Sequence, residues 1–311
     1  MRILMLFNPI AGAGRAEHAA QSTVDALRAA GHDVQLAHTA STVAPDASIV
    51  HHLRESDALV IVGGDGAVRW AAAAAADHDV PVWQVPRGTE NLFARQFGMT
   101  ANPDALLRAL RKNQTQRVDL CLANGIVFHA MVSIGYDAEV VHDLTARRRG
   151  RISRRSYLLP MLRRFANWSP PRLTLRVDDR QLVAPEPGMV VIANSPRYGF
   201  AMDPCPNASM TDGLLDVTFF PAASRTQLLG WMIACRRGTH VRSNQLIQAR
   251  GQRVEVMCRP RSVIQIDGDV PPPPDLDLPK DVAEASTSVD GAISRLVTEV
   301  RPSCLPVLLP A

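Results

Sequence analysis

Val60-Ile61-Val62-Gly63-Gly64-Asp65-Gly66-Ala67 carries an apolar run, Ala58 to Val62, straight onto two glycines, an aspartate and a third glycine. Ala71 to Ala76 follows, an unbroken series of the residue with the highest intrinsic helix propensity. Strand, glycine-rich turn and helix in that order form a phosphate-binding junction. Glycines let the backbone approach a polyanion, and the N–H groups at a helix start point at it. Asp65 is the odd member, because a carboxylate repels phosphates unless a Mg²⁺ lies between them or unless it orders the neighbouring loops. An ordinary tight strand-to-helix turn uses the same residues, so the flanking segments decide.

Upstream, Ile3 to Phe7 reads as a short buried strand, followed by a glycine-containing loop, Asn8-Pro9-Ile10-Ala11-Gly12-Ala13-Gly14. A helix over Ala16 to Ala30 closes on Gly31, a strand over Val34 to Ala37 leads to His38-Thr39, and a helix spans Pro45 to Glu55. Downstream, the strand Val80 to Val85 ends at Pro86-Arg87-Gly88-Thr89-Glu90-Asn91, and helices follow over Leu92 to Phe97 and Pro103 to Lys112. Strands alternating with helices at this spacing predict a doubly wound parallel sheet over residues 1–116. In such sheets ligands sit at the carboxyl ends of the strands, so the three polar, glycine-bearing loops should converge there.

From Arg117 short β-rich runs dominate: Arg117 to Leu122, Ile126 to Val132, Arg172 to Val177, Met189 to Ala193, Leu214 to Phe219, Arg253 to Met257 and Ser262 to Ile266. Turn signals such as Ala123-Asn124-Gly125 separate them, and helices are expected over Ala138 to Ala146, Tyr157 to Phe165 and Thr226 to Arg236. Residues 117–295 therefore read as a second, mostly antiparallel domain. Pro271 to Pro274 opens a flexible excursion, and residues 296–311 hold terminal strands that could return to the first domain.

Composition narrows the class. The 311 residues leave room for two domains, and a net charge of +4 does not by itself imply nucleic acid. Five scattered cysteines with no CxxC pair argue against a zinc site or a disulfide framework and suit a reducing cytoplasm. No segment approaches the roughly 20 apolar residues of a membrane span. The glycine loops lack GxGxxG with a downstream acidic partner, which disfavours a dehydrogenase.

Six motifs stand in order: Asn8-Pro9 with Gly12 and Gly14; Gly63-Gly64-Asp65-Gly66; Pro86 to Arg95; Gly135-Tyr136-Asp137-Ala138; Pro206-Asn207-Ala208 through Asp216; and Ile266-Asp267-Gly268-Asp269. Together they resemble the diacylglycerol kinase catalytic-domain family, the bacterial lipid-kinase branch related to sphingosine kinases and NAD kinases. The resemblance implies an α/β nucleotide domain and a C-terminal β-sandwich with the active site in the interdomain cleft. It also implies transfer of phosphate from ATP, with Mg²⁺, to a lipid hydroxyl. By the same resemblance, nucleotide contacts fall on Asn8, Pro9, Gly12, Gly14, Thr39, Gly63, Gly64, Asp65, Gly66, Ala67, Gly88, Thr89 and Asn91. Asn91 also suits a helix N-cap. Asp212, with carbonyls at Ser209 and Leu214, falls on a structural Mg²⁺ site, and Asp119 and Asp137 on aspartates that link the family's domains. The catalytic base falls on Asp269, where the family usually has Glu. If the chain is extended there, Asp267 and Asp269 face the same side; a surface hairpin turn is the alternative.

Three departures after GGDG weaken the match. Where the family continues GGDG with Thr, then Asn and Glu, this chain has Ala67, Arg69 and Trp70. These changes keep open a nucleotide- or lipid-binding pseudokinase, and a soluble-acceptor kinase such as an NAD kinase is a further rival. Arg147, Arg148, Arg149, Arg151, Arg154, Arg155, Arg163 and Arg164 are interleaved with Tyr157, Leu158, Leu159, Met161, Leu162 and Phe165. That mixture suits peripheral docking on an anionic membrane. RNA is disfavoured for want of stacking aromatics and a recognised module. The expectation is a cytoplasmic, membrane-associated lipid kinase; a homodimer is left open.

Overall fold

β1 (Arg2–Phe7), α1 (Arg15–Ala29), β2 (Asp33–His38), α2 (Ala47–Arg54), β3 (Ala58–Gly63), α3 (Asp65–Asp77), β4 (Val82–Pro86), α4 (Leu92–Phe97) and α5 (Pro103–Lys112) alternate along the first part of the chain. The structure is a computed structural model and describes residues 1–7, 15–39, 45, 47–147, 153–271 and 292–311. It divides into two compact units, Met1–Leu120 with Pro302–Ala311, and Cys121–Arg301.

In the first unit the strands run parallel in the order β2-β1-β3-β4, and Val307 from the C-terminal strand pairs in parallel with Val82 of β4. Every residue of β3 is buried, as a strand covered on both faces requires, and this explains its unbroken apolar run. α5 has a legible start and stop. Asn102 caps it by accepting the Asp104 N–H at 2.9 Å, Pro103 takes the first turn, and Asn113 closes it in the left-handed conformation. The alanine helix begins earlier than expected. Asp65 and Gly66 already belong to the first turn of α3, so the strand passes into the helix through Gly64 alone.

The second unit is antiparallel. β5 (Thr115–Ala123) carries the chain into it and turns at Asn124-Gly125 into β6 (Ile126–Phe128). β7 (Met131–Ile134), α6 (Tyr136–Ala146), α7 (Leu158–Ala166), β8 (Arg172–Val177), β9 (Arg180–Ala193), β10 (Leu215–Pro221), α8 (Arg225–Arg237), β11 (Ile247–Gly251), β12 (Arg253–Ile266) and β13 (Ala292–Leu308) follow. β9 lies between β7 and β10, and β12 pairs with β7, β8 and β13. Phe128, Ile134, Leu175, Ile192, Phe219, Val256 and Ile264 are among the side chains of the sandwich core.

β12 is one strand where two were expected, and so is β13. Pro260 has no N–H, so the ladder from β12 to β13 is irregular between Met257 and Ser262. Pairing with β8 carries β12 on to Arg259 without a break. The near half of β9 was not expected because Pro185, Pro187 and Gly188 look like strand breakers. Pairing with β8 nevertheless spans Arg180 to Pro187, with register shifts that absorb the irregularity. The excursion expected after Pro271 falls on residues 272–291, outside those described.

Candidate functional site

The carboxyl ends of β1 to β4 lie level with one another: Phe7 pairs with His38 and with Val62, and Gly63 pairs with Pro86. The Thr39 N–H donates to the Phe7 carbonyl at 2.9 Å, so Thr39 sits at this same edge. α3 starts on Gly64 with no side-chain cap. At such a start the backbone N–H groups can serve an anionic ligand. Asn8, Pro9, Gly12 and Gly14 lie outside the described residues.

Two glycine loops meet at this edge. A Cβ built on Gly88 would stand 2.6 Å from the Gly64 Cα, closer than real Cβ contacts permit, so the approach requires glycine. Asp65 takes the loop-ordering role: its Oδ1 accepts the Phe93 N–H at 3.0 Å, joining the start of α3 to α4. Gln84, fully buried in β4, makes a second tie. Its Nε2 donates to the Gly63 carbonyl at 3.0 Å and its Oε1 accepts the Ala94 N–H at 2.7 Å. Asn91 occupies the N-cap position of α4 but makes no cap bond. Its side chain turns back instead, accepting the Gly88 N–H at 2.7 Å and donating to the Gly88 carbonyl at 3.0 Å. Arg95 pairs with Glu90 at 3.2 Å. Trp70, one of the departures, is buried and packs as a core residue of α3.

In the second unit, residues 267 and 268 form a two-residue turn with φ of 51° and 82°, closed by the pairing of Ile266 with Asp269. The expectation of an extended chain with both carboxylates on one side is therefore corrected. The Asp267 carboxylate is wholly buried and accepts the N–H groups of His129, Ala130 and Met131 at 3.1, 2.9 and 3.0 Å. Three amide donors on one carboxylate make an anchor. Asp269 is exposed at the end of the turn.

Asp137 lies in the first turn of α6, which starts after Gly135, whose φ of 129° and contact with Met189 exclude a side chain. One oxygen of Asp137 accepts both the Ser133 hydroxyl, at 2.5 Å, and the Tyr198 hydroxyl. Burial pushes the Asp137 carboxyl up, while the hydrogen bonds from Ser133 and Tyr198 oppose it. Burial and then the Asp137 charge hold the Tyr198 hydroxyl well above its ordinary value. Asp119, in the first unit, is buried and accepts the Ser303 N–H at 2.7 Å.

The expected structural Mg²⁺ site is otherwise engaged. Asp212 Oδ1 accepts the Leu214 N–H at 3.1 Å, its Oδ2 is paired with the Arg250 guanidinium, and Arg250 also meets Asp216 at 3.2 Å. The Ser209 hydroxyl lies 3.1 Å from that of Thr211. With a guanidinium on its only carboxylate, this donor set does not fit a resident divalent cation. Among the described residues no group of three His, Cys, Asp or Glu side chains could hold a metal.

The arginine-rich stretch divides. Arg147, Arg163 and Arg164 converge on the buried carboxylate of Asp143, at 3.3, 2.5 and 3.3 Å. Arg148, Arg149 and Arg151 lie outside the described residues. On α7, Leu158, Leu159 and Leu162 stand 62%, 62% and 59% exposed. Its last turn receives the Arg225 guanidinium from α8 at the Ala166 carbonyl, 3.0 Å, and Tyr157 at its foot packs edge-on against Phe200. Leu229 and Ile233 of α8 are exposed as well.

Gln84, Ser133, Tyr198 and Gln265 were not singled out in the sequence. Three of them carried a signal there. Val82-Trp83-Gln84-Val85, Val132-Ser133-Ile134 and Ile264-Gln265-Ile266 each set one polar side chain inside an apolar strand. A buried amide or hydroxyl must find a partner.

Residues 2–123 match the family of the diacylglycerol kinase catalytic domain, and residues 130–309 match the YegS C-terminal NAD kinase beta sandwich-like domain. A diacylglycerol kinase of Mycobacterium tuberculosis (strain ATCC 25618 / H37Rv) is 32% identical over 280 residues, covering 86% of this chain and 88% of that protein. A diacylglycerol kinase of Bacillus subtilis (strain 168) is 22% identical over 273 residues, covering 86% and 89%. A solved structure of a diacylglycerol kinase from Bacillus anthracis str. Sterne superposes with a TM-score of 0.65 at 17% identity, covering 99% of this chain and 96% of that one. At that identity the likeness is one of fold.

Proposed function

The chain belongs to the diacylglycerol kinase catalytic-domain family of lipid kinases, and from that premise we propose that it transfers the γ-phosphate of ATP to the hydroxyl of diacylglycerol or a related lipid alcohol. ATP enters as its Mg²⁺ complex, a substrate, and no resident metal is invoked. Phosphoryl transfer asks the protein chiefly for positioning and charge stabilisation. The backbone N–H groups of Gly64 to Gly66 at the start of α3, with the backbone and hydroxyl of Thr89, take the phosphates, while the Gly88 N–H stays with Asn91. Each bond to a charged oxygen contributes about 1.5–3 kcal/mol. Asn8, Pro9, Gly12, Gly14 and Thr39 complete the nucleotide side. Asp269 accepts the proton of the acceptor hydroxyl, a role that contributes about 10²–10⁴-fold. Asp267 holds the turn from which Asp269 projects.

The observation that carries this reading is the contact of Gly64 with Gly88, braced by Asp65, Gln84 and Asn91. Such bracing fixes backbone donors in advance, which is what charge stabilisation needs. The lipid is met at a membrane. The exposed leucines of α7 dip into the interface, while basic residues contribute about 1 kcal/mol each on anionic lipid. This apolar face also favours a lipid acceptor over a soluble one. A binding protein with little transfer activity is the second reading, favoured by Ala67, which lacks the hydroxyl of the family's usual Thr.

The test is transfer of label from γ-labelled ATP, with Mg²⁺, into the lipid phase of anionic vesicles carrying a panel of lipid alcohols. Label in one class of lipid supports the kinase and names its acceptor. ATP binding without transfer to any acceptor overturns it in favour of the binding protein.

A further inference from the structure

The turn at 267–268 is held more firmly than a two-residue hairpin needs. Asp267 anchors it from one side through three amides, and the Ile266–Asp269 pairing closes it. A third hold comes from Gln265, 2% exposed, whose Oε1 accepts the Gly268 N–H at 2.7 Å. That bond fixes the orientation of the Gln265 amide, because only its oxygen can face a donor. Its Nε2 must then point to the cross-strand neighbour Ser133, and it donates to the Ser133 Oγ at 2.9 Å. With its oxygen serving as acceptor, the Ser133 hydroxyl donates onward to Asp137, and Tyr198 donates to the same carboxylate. Each of these bonds thus has one direction, and the order ends on a carboxylate.

Each link in this network sets the direction of the next, which orders its members. We propose that Gln265 is a positioning residue for the reaction, the buried inner end of a relay, Tyr198–Asp137–Ser133–Gln265, that fixes the backbone from which Asp269 projects. The relay explains how an Asp can stand where a longer Glu is usual: a side chain one methylene shorter tolerates less backbone movement. Misplacement on the scale of 1 Å costs on the order of 10²-fold in rate.

The catalytic part of this inference rests on the kinase reading, so its test has two readouts. Amide hydrogen exchange at Gly268 is followed by NMR in the full chain for wild type, Gln265→Ala, Gln265→Glu and Tyr198→Phe. Rates of lipid phosphorylation are measured on the same proteins, with folding checked by thermal unfolding. Gln265→Ala is expected to lose Gly268 protection and to lower kcat by about 10- to 100-fold with KM for ATP unchanged. Gln265→Glu keeps an acceptor for Gly268 and should recover most of the protection and part of the rate. Tyr198→Phe should show a smaller loss of both. Gly268 protection that is the same in wild type and folded Gln265→Ala overturns the relay. Lost protection with wild-type kcat overturns the positioning role. Lost protection in a protein whose wild type transfers no phosphate overturns the kinase reading and the positioning role with it, while the relay stands as a structural brace.

Discussion

Asp267 and Asp269 are two residues apart, yet their surroundings assign them different work. Three backbone amides end on the Asp267 carboxylate, whereas Asp269 is exposed. Asp267→Ala should therefore destabilise the fold by roughly 3 kcal/mol or more, since three buried donors lose a charged acceptor. Asp269→Ala should change stability by less than about 0.5 kcal/mol. Urea unfolding of the two variants separates these outcomes, and equal losses would contradict the assignment. Gly88→Ala tests the nucleotide side. The new methyl would meet the Gly64 backbone at 2.6 Å, so the two loops must part. The expected result is a loss of about 1–3 kcal/mol in stability, accompanied by weaker ATP binding in calorimetry. The residue types at both sites could be read from the sequence, because glycine clusters and an Asp-Gly-Asp turn are local signals. The positive φ of Asp267 was hidden, since extended and hairpin conformations use the same three letters.

At the scale of the elements, α6 and α7 carry the most informative departures from expectation. Of the arginines expected at a membrane three converge on Asp143, and the leucines expected with them stand exposed on α7. Leu159→Glu with Leu162→Glu should weaken sedimentation with anionic vesicles by about tenfold or more and leave ATP binding intact. Unchanged sedimentation would remove α7 from the membrane surface. On α6, burial pushes Glu139 from 4.5 up to about 7, with Arg164 opposing and Asp137 adding to the rise. A carboxyl raised in the folded state makes its full contribution below its unfolded value and loses it as pH rises through the folded one. Wild type should thus lose stability as pH rises from 4.5 to about 7, and Glu139→Gln should flatten that fall in thermal unfolding. An unchanged slope would contradict the half-buried setting of Glu139. Helix positions were legible from period and caps, as α5 shows with Asn102, Pro103 and Asn113. Strand lengths were not. The β13 ladder of β12 is irregular between Met257 and Ser262 while the β8 ladder runs on to Arg259, and no local signal distinguishes that from a strand end.

For the whole molecule, the order of motifs carried more than any motif alone. The change of character near Arg117 marked the change from parallel to antiparallel pairing because alternation with helices and short consecutive strands are patterns of different length. Arg250 escaped notice because its partners, Asp212 and Asp216, lie more than thirty residues away in sequence and meet it only across β10 and β11. The polar ties of Gln84 and Gln265 are likewise tertiary facts, announced only by an amide inside an apolar strand. The central claim is the proposed phosphoryl transfer from ATP to a lipid hydroxyl, with Asp269 as the base. It is tested most directly by the single-turnover rate of label transfer from γ-labelled ATP to diacylglycerol in anionic vesicles, for wild type and for folded Asp269→Ala. The account expects transfer by wild type and a fall of about 10²–10⁴-fold in the variant with ATP binding retained. Equal rates in the two proteins, or no transfer by wild type, would contradict it.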